Sequence, residues 1–147
     1  MAKNDFSRHN HRIIALQILY NLDVREEFNK ENIDKEIEKL NNNKDAVYLD
    51  SSSGYFKQLI EGVIDNKETL DNDIDKLAIN WDIERINILD KNILRISLFE
   101  IKKDVPIGAA INEAVELAKE FNNIKSARFI NGILGESVKS KSTKTDK

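Results

Sequence analysis

The sequence predicts an all-α protein, and three observations carry that reading. Helix breakers are scarce: the 147 residues include one proline and five glycines, so little interrupts a helix and a strand finds few turns. Apolar residues recur at three- and four-residue spacing in segment after segment. Finally, residues 86–101, INILDKNILRISLFEI, are apolar on every side when wound as a helix, since Ile86, Ile88, Leu89, Ile93, Leu94, Ile96, Leu98, Phe99 and Ile101 fall all round the circle. A helix of that kind belongs inside a protein. Asp90, Lys91, Arg95 and Glu100 make it too charged to cross a membrane. It is the expected central helix, with Arg95 and Glu100 as paired network residues, because a charge there must be matched or reach the surface.

The other elements follow in order. Residues 1–7 read as a loose arm. A helix starts near Arg8 and is apolar almost all round from Ile13 to Leu22, with Gln17 and Asn21 on its polar side. Arg8 and Arg12 stand four apart, hence on one face a turn from each other, and are expected to project beyond the buried part. They either solvate a helix end or contact a phosphate. Ile33, Ile37 and Leu40 make 29–41 a thin amphipathic helix. A polar connection follows, with Ser52 or Ser53 as the expected N-cap of a helix carrying Tyr55, Phe56, Leu59, Ile60, Val63 and Ile64. A bend or break is expected near Asp65-Asn66 before the pattern resumes at Leu70, Ile74 and Leu77. Asn80-Trp81-Asp82 marks a break, with Trp81 read as a packing residue. Beyond the central helix, Asp104-Val105-Pro106 is a stop that suits the approach to a new helix. Residues 109–121 are cleanly amphipathic. Asn122-Asn123 stops them, and Ser126 is the expected N-cap of a last helix with Ala127, Ile130, Ile133 and Leu134 inward, Arg128 outward and Phe129 at the border. The lysine-rich tail, 139–147, is expected to be disordered.

Composition narrows the chemistry. With no cysteine there is no disulfide framework, thiolate zinc site or thiol nucleophile, which fits a cytoplasmic protein. The N-terminus carries no apolar signal region. A net charge of −3 argues against binding nucleic acid over the whole surface but leaves room for a basic patch. Neither Gly-rich phosphate loop occurs, and His9 and His11 have no third ligand nearby, so no catalytic, cofactor or metal residue is assigned. Asp71-Asn72-Asp73-Ile74-Asp75 imitates a calcium loop, but Lys76 stands where glycine is needed and Asp82 where a glutamate is. A solvated acidic helix face is the better reading.

Several blocks in fixed order carry more. RIIALQILY (12–20), YFKQLIEGV (55–63), LDKNILRISLFEI (89–101), AINEAVELAKEF (110–121) and SARFINGIL (126–134) together closely resemble the NusB family of transcription antitermination factors, over nearly the whole chain apart from 23–50 and the tail. The resemblance implies a compact, non-enzymatic helical protein of two packed three-helix bundles, about 8–80 and 81–138. It also implies a heterodimer with the ribosomal small-subunit protein NusE. That heterodimer binds boxA RNA of nascent ribosomal RNA transcripts and, with further Nus factors, keeps RNA polymerase from terminating. Carried over position by position, the RNA surface comprises Arg8, Arg12, Lys125, Arg128 and Phe129, and the partner surface Tyr20, Glu84, Asp90 and Lys91. Cations would neutralise phosphates and weaken binding with salt, and Phe129 would stack an unpaired base or serve as a core-edge aromatic. Acidic contacts suit a basic ribosomal protein.

The chain departs from the family in its N-terminal segment, Arg8-His9-Asn10-His11-Arg12, which is usually richer in arginine. Weaker intrinsic RNA affinity follows, with more supplied by the partner. Affinity is expected to rise between about pH 7.5 and 6 if the two histidines protonate beside RNA. Two other readings stay open: a protein-interaction module without RNA contact, and the accessory domain of an RNA methyltransferase. The latter needs a catalytic domain after Lys147. Self-association, covering the RNA surface, is a further mode known in the family.

Overall fold

The computed structural model describes residues 8–41, 54–78 and 86–139, and the backbone of the last helix as far as Thr145. Every described element is helical: α1 Arg8–Val24, a 3-10 turn Lys30–Asn32, α2 Ile33–Asn41, α3 Tyr55–Asp65, α4 Lys67–Leu77, α5 Ile88–Lys102, α6 Ile107–Phe121 and α7 Ile124–Thr145. They fall into two compact units, Met1–Asp65 and Asn66–Lys147.

The first unit is α1 laid against α2 and α3. Ala15, Leu16, Ile18, Leu19 and Leu22 of α1 are buried, as are Ile33 and Ile37 of α2 and Phe56, Leu59, Ile60 and Val63 of α3. Each such Leu or Ile contributes about 1.5–3 kcal/mol by leaving water. Below α1 the chain reverses through Glu26, whose φ is 58°. The Glu27 N–H donates to the Leu22 carbonyl at 2.8 Å and the Glu26 N–H to Asp23 at 3.0 Å, the pairing that closes a helix through one left-handed residue. Just before that residue, Arg25 reaches the buried carboxylate of Glu36 on α2, which also accepts from Lys39 at 3.1 Å. The polar connection and its serines, Ser52 and Ser53, lie outside the described residues.

In the second unit α5 is central: Asp90 and every residue from Asn92 to Glu100 are buried. Its neighbours are α4, α6 and α7. Arg95, 1% exposed, is met by a bidentate carboxylate. Its Nε and Nη2 donate to Asp71 Oδ1 and Oδ2 at 2.8 and 3.0 Å, and Nη1 donates to Asn92 Oδ1 at 3.0 Å. Burial alone would raise the Asp71 pKa, but the hydrogen bonds and charges of Arg95 and Lys67 outweigh it and hold the carboxyl below its ordinary value. Asp73 pairs with Lys102 at 3.0 Å. The acidic run that imitates a calcium loop is therefore helical and serves as counter-charge to cations of α5. On the other side Ala110, Ala114 and Ala118 of α6 are buried, and Ser97 Oγ donates to the Ala110 carbonyl at 3.2 Å.

The break at Asn66 separates α3 from α4 as anticipated, and α4 groups with the second unit. The Arg95–Asp71 pair and the burial of Leu70 and Ile74 account for it. The cap of α7 is Asn123, not Ser126: Asn123 Oδ1 accepts the Ser126 N–H at 2.8 Å. The helix also runs on to Thr145, past residue 139, since neither proline nor glycine follows Gly135 and lysine supports helix. At the far end of α5 the expected stop is a left-handed Asp104, φ 68°.

Candidate functional site

The start of α1 is built around one aromatic ring. Tyr55, the first residue of α3, lies under the Arg8 guanidinium at 3.7 Å from its centroid, and Arg12 approaches the same ring at 5.9 Å. The structure thus brings the two arginines together, but unequally. Arg8 is exposed, whereas Arg12 is 8% exposed and does not project beyond the buried part. One helical turn of spacing forces this, because residue 12 sits where α1 already faces α3.

His11 anchors the same corner. Its ring stacks on Phe56 at 5.7 Å, and its Nδ1 accepts the Phe56 backbone N–H at 3.1 Å. That N–H is one of the donors a helix start leaves unmet. Gly54 lets the chain enter: its φ is +112°, and a Cβ there would lie 3.0 Å from the Phe56 ring and 3.5 Å from His11. Burial, then the positive charge of Arg8, lowers the His11 pKa. Accepting through Nδ1 favours the neutral imidazole, so the contact with Phe56 opposes the protonation of His11 on which the expected rise in RNA affinity depends. Neither Tyr55 nor Phe56 was singled out as a site residue from the sequence; a paired aromatic opening a helix was the available signal.

The start of α7 carries the second basic group. Lys125 and Arg128 are exposed and Phe129 is half-buried, one turn of helix apart, as the spacing requires. Ser126 between them points inward and is 8% exposed. Its Oγ donates to Asp90 Oδ2 at 3.0 Å.

That contact turns Asp90 inward. Expected at a partner surface, it is 4% exposed. Asn122 at the end of α6 donates through Nδ2 to Asp90 Oδ1 at 3.2 Å, and Asn87 donates to Oδ2 at 3.3 Å while its own Oδ1 accepts the Asp90 N–H at 2.8 Å. Burial pushes the Asp90 pKa up, with the bonds from Ser126, Asn122 and Asn87 working against it. A short acid in the first turn of a helix looks the same in sequence whether it faces solvent or three donors. The Asn87-x-x-Asp90 spacing, an N-cap whose oxygen accepts the Asp90 N–H while its amide donates back to the Asp90 side chain, was the overlooked signal. Of the other partner positions, Tyr20 is 39% exposed, Lys91 is half-exposed, and Glu84 lies outside the described residues, as does Trp81. Among the described residues no group of acidic and histidine side chains is arranged to hold a metal, and no helix is long and apolar enough to cross a membrane.

Comparison with known proteins agrees with this architecture. The NusB family model matches residues 9–139. The transcription antitermination protein NusB of Halothermothrix orenii is 46% identical over 132 residues, 90% of this chain and 96% of that protein. T. maritima NusB superposes with a TM-score of 0.69 at 26% identity, over 88% of this chain and 89% of the other. A protein chain in the crystal structure of a plectonemic RNA supercoil superposes with a TM-score of 0.75 at 26% identity, over 93% and 99% of the two chains.

Proposed function

The chain belongs to the NusB family of non-enzymatic transcription antitermination proteins, and from that premise we propose that it binds boxA-type single-stranded RNA as a heterodimer with the ribosomal protein NusE. Further Nus factors would then couple the complex to RNA polymerase. The observation that supports the RNA assignment most is the first turn and a half of α7. Two exposed cations, Lys125 and Arg128, flank a half-buried ring, Phe129, on a helix start whose backbone donors and dipole favour phosphate. Cations give affinity that falls with salt, and a part-exposed ring gives an unpaired base a face to stack on. Arg8 over Tyr55 offers a second cation–aromatic pair, whereas the burial of Arg12 makes it a support for that ring. On the partner side, Tyr20 and Lys91 retain the exposure a contact needs, and Asp90 does not.

The test is fluorescence anisotropy with a boxA-like RNA and a scrambled one, with and without NusE, at two salt concentrations. Selective binding that NusE strengthens and salt weakens is expected. An Arg128→Ala, Phe129→Ala double variant should lose about tenfold or more, the loss of a phosphate contact and a stacked base. Equal affinity for both RNAs in the presence of NusE would sink the assignment and leave a protein-contact module.

A further inference from the structure

We infer that Asp90 is a positioning residue: its buried carboxylate holds Ser126, and through it fixes the direction in which Lys125, Arg128 and Phe129 leave α7. This rests on the RNA reading of those three side chains. The geometry is specific. One carboxylate collects side chains from three helix ends, Asn87 before α5, Asn122 after α6 and Ser126 in α7. Both oxygens are used, at 3.0–3.3 Å from their donors. Asn122 and Asn123 are the whole connection between α6 and α7, and Asn123 caps α7 through the Ser126 N–H. The serine is therefore gripped twice, by its backbone from Asn123 and by its hydroxyl from Asp90. The residues before it and two and three after it are the proposed RNA contacts.

An ionised carboxylate is a costly way to bury a hydrogen-bond acceptor. The start of α5 has its cap in Asn87 without it, since Asn87 Oδ1 accepts the Asp90 N–H. What the carboxylate adds is a fixed relation between the start of α5 and the start of α7. A small rotation of the first turn of α7 would leave Lys125 and Arg128 charged and exposed but misalign them with Phe129. Loss of the grip should therefore cost selectivity more than electrostatic attraction, because phosphate contacts tolerate displacement better than a stacked base.

The experiment compares Asp90→Ala, Ser126→Ala and Ser126→Thr with the unaltered chain, each with NusE, in the same anisotropy titrations. Ser126→Ala is the milder change, and its fold is checked by circular dichroism; it carries the test if Asp90→Ala does not fold. Expected is a loss on the order of tenfold for the boxA-like RNA, a smaller loss for the scrambled RNA, an unchanged salt slope, and recovery in Ser126→Thr, which restores the hydroxyl. The Asp90→Ala, Ser126→Ala pair should lose no more than the worse single variant. Folded Ser126→Ala with unchanged affinity and selectivity, while Arg128→Ala, Phe129→Ala loses both, would overturn the positioning role and leave the RNA site standing. Indifference of the latter double variant would remove the RNA site and this inference with it.

Discussion

His11 shows how one residue type can serve two purposes at a helix start. Beside two arginines at a helix start it looks like a titrating contact for RNA. Its Nδ1 accepts the Phe56 N–H at 3.1 Å and its ring stacks on Phe56, so it serves as the cap that the start of α3 needs. The two functions separate by substitution. His11→Phe keeps a ring against Phe56 and removes the acceptor, leaving a helix-start donor without its partner; the cost should be about 1–2 kcal/mol. His11→Asn places an oxygen near the lost nitrogen and should recover part of it. Urea unfolding with an unchanged m-value reads the difference, and equal midpoints for the wild type and His11→Phe would remove the cap from the account. Arg12 makes the same point in reverse, since a residue type that suits phosphate is here 8% exposed.

Helix ends carry the next level of information. Both α1 and α5 stop through a left-handed residue that is not glycine, Glu26 and Asp104. Around Asp104 the Val105 N–H donates to the Glu100 carbonyl at 3.0 Å and the Asp104 N–H to Ile101 at 3.2 Å. This is the two-bond closure in which glycine is favoured because a Cβ is strained at that φ. The sequence showed where α5 ends, through Asp104-Val105-Pro106, but not how, since glycine is the usual sign and is missing. Asp104→Gly should relieve the strain and raise stability by up to about 1 kcal/mol, after the greater freedom glycine gives the unfolded chain is set against the gain. Thermal unfolding decides it: a fall in Tm would mean that the Asp104 side chain supports the turn. The same substitution at Glu26 is a weaker test, because Arg25 beside it bonds Glu27 and Glu36.

Over the whole chain, what was legible followed from periodicity. An all-round apolar α5, amphipathic α3 and α6 and the stop at Asn66 are local patterns, and local patterns report burial. The grouping of α4 with α5 was not legible, because it rests on Arg95 finding Asp71 across 24 residues, and the burial of Asp90 was legible only in its local half, the Asn87 spacing, since Asn122 and Ser126 reach it from 32 and 36 residues away. Those same groups set how the molecule responds to acid, each with its own sign. His11 has a lowered pKa, so the unfolded chain binds its proton first; its contribution is complete above about pH 6.5 and is lost as pH falls below that. Asp71 is also lowered, so its contribution holds above 3.8 and is lost only below. Asp90 is raised and acts oppositely: its contribution is largest below 3.8 and falls as pH rises through its folded value. Difference curves isolate each group from the sum. The stability gap between the wild type and His11→Phe should narrow steadily below about pH 6.5, whereas the gap to Asp71→Asn should stay level from neutral pH down to about 4 and close beneath it. Urea midpoints at several pH values give both curves. A His11→Phe gap that is flat from pH 7 to 5 would mean that the imidazole is not held neutral by the start of α3, and the cap assigned to it would fall.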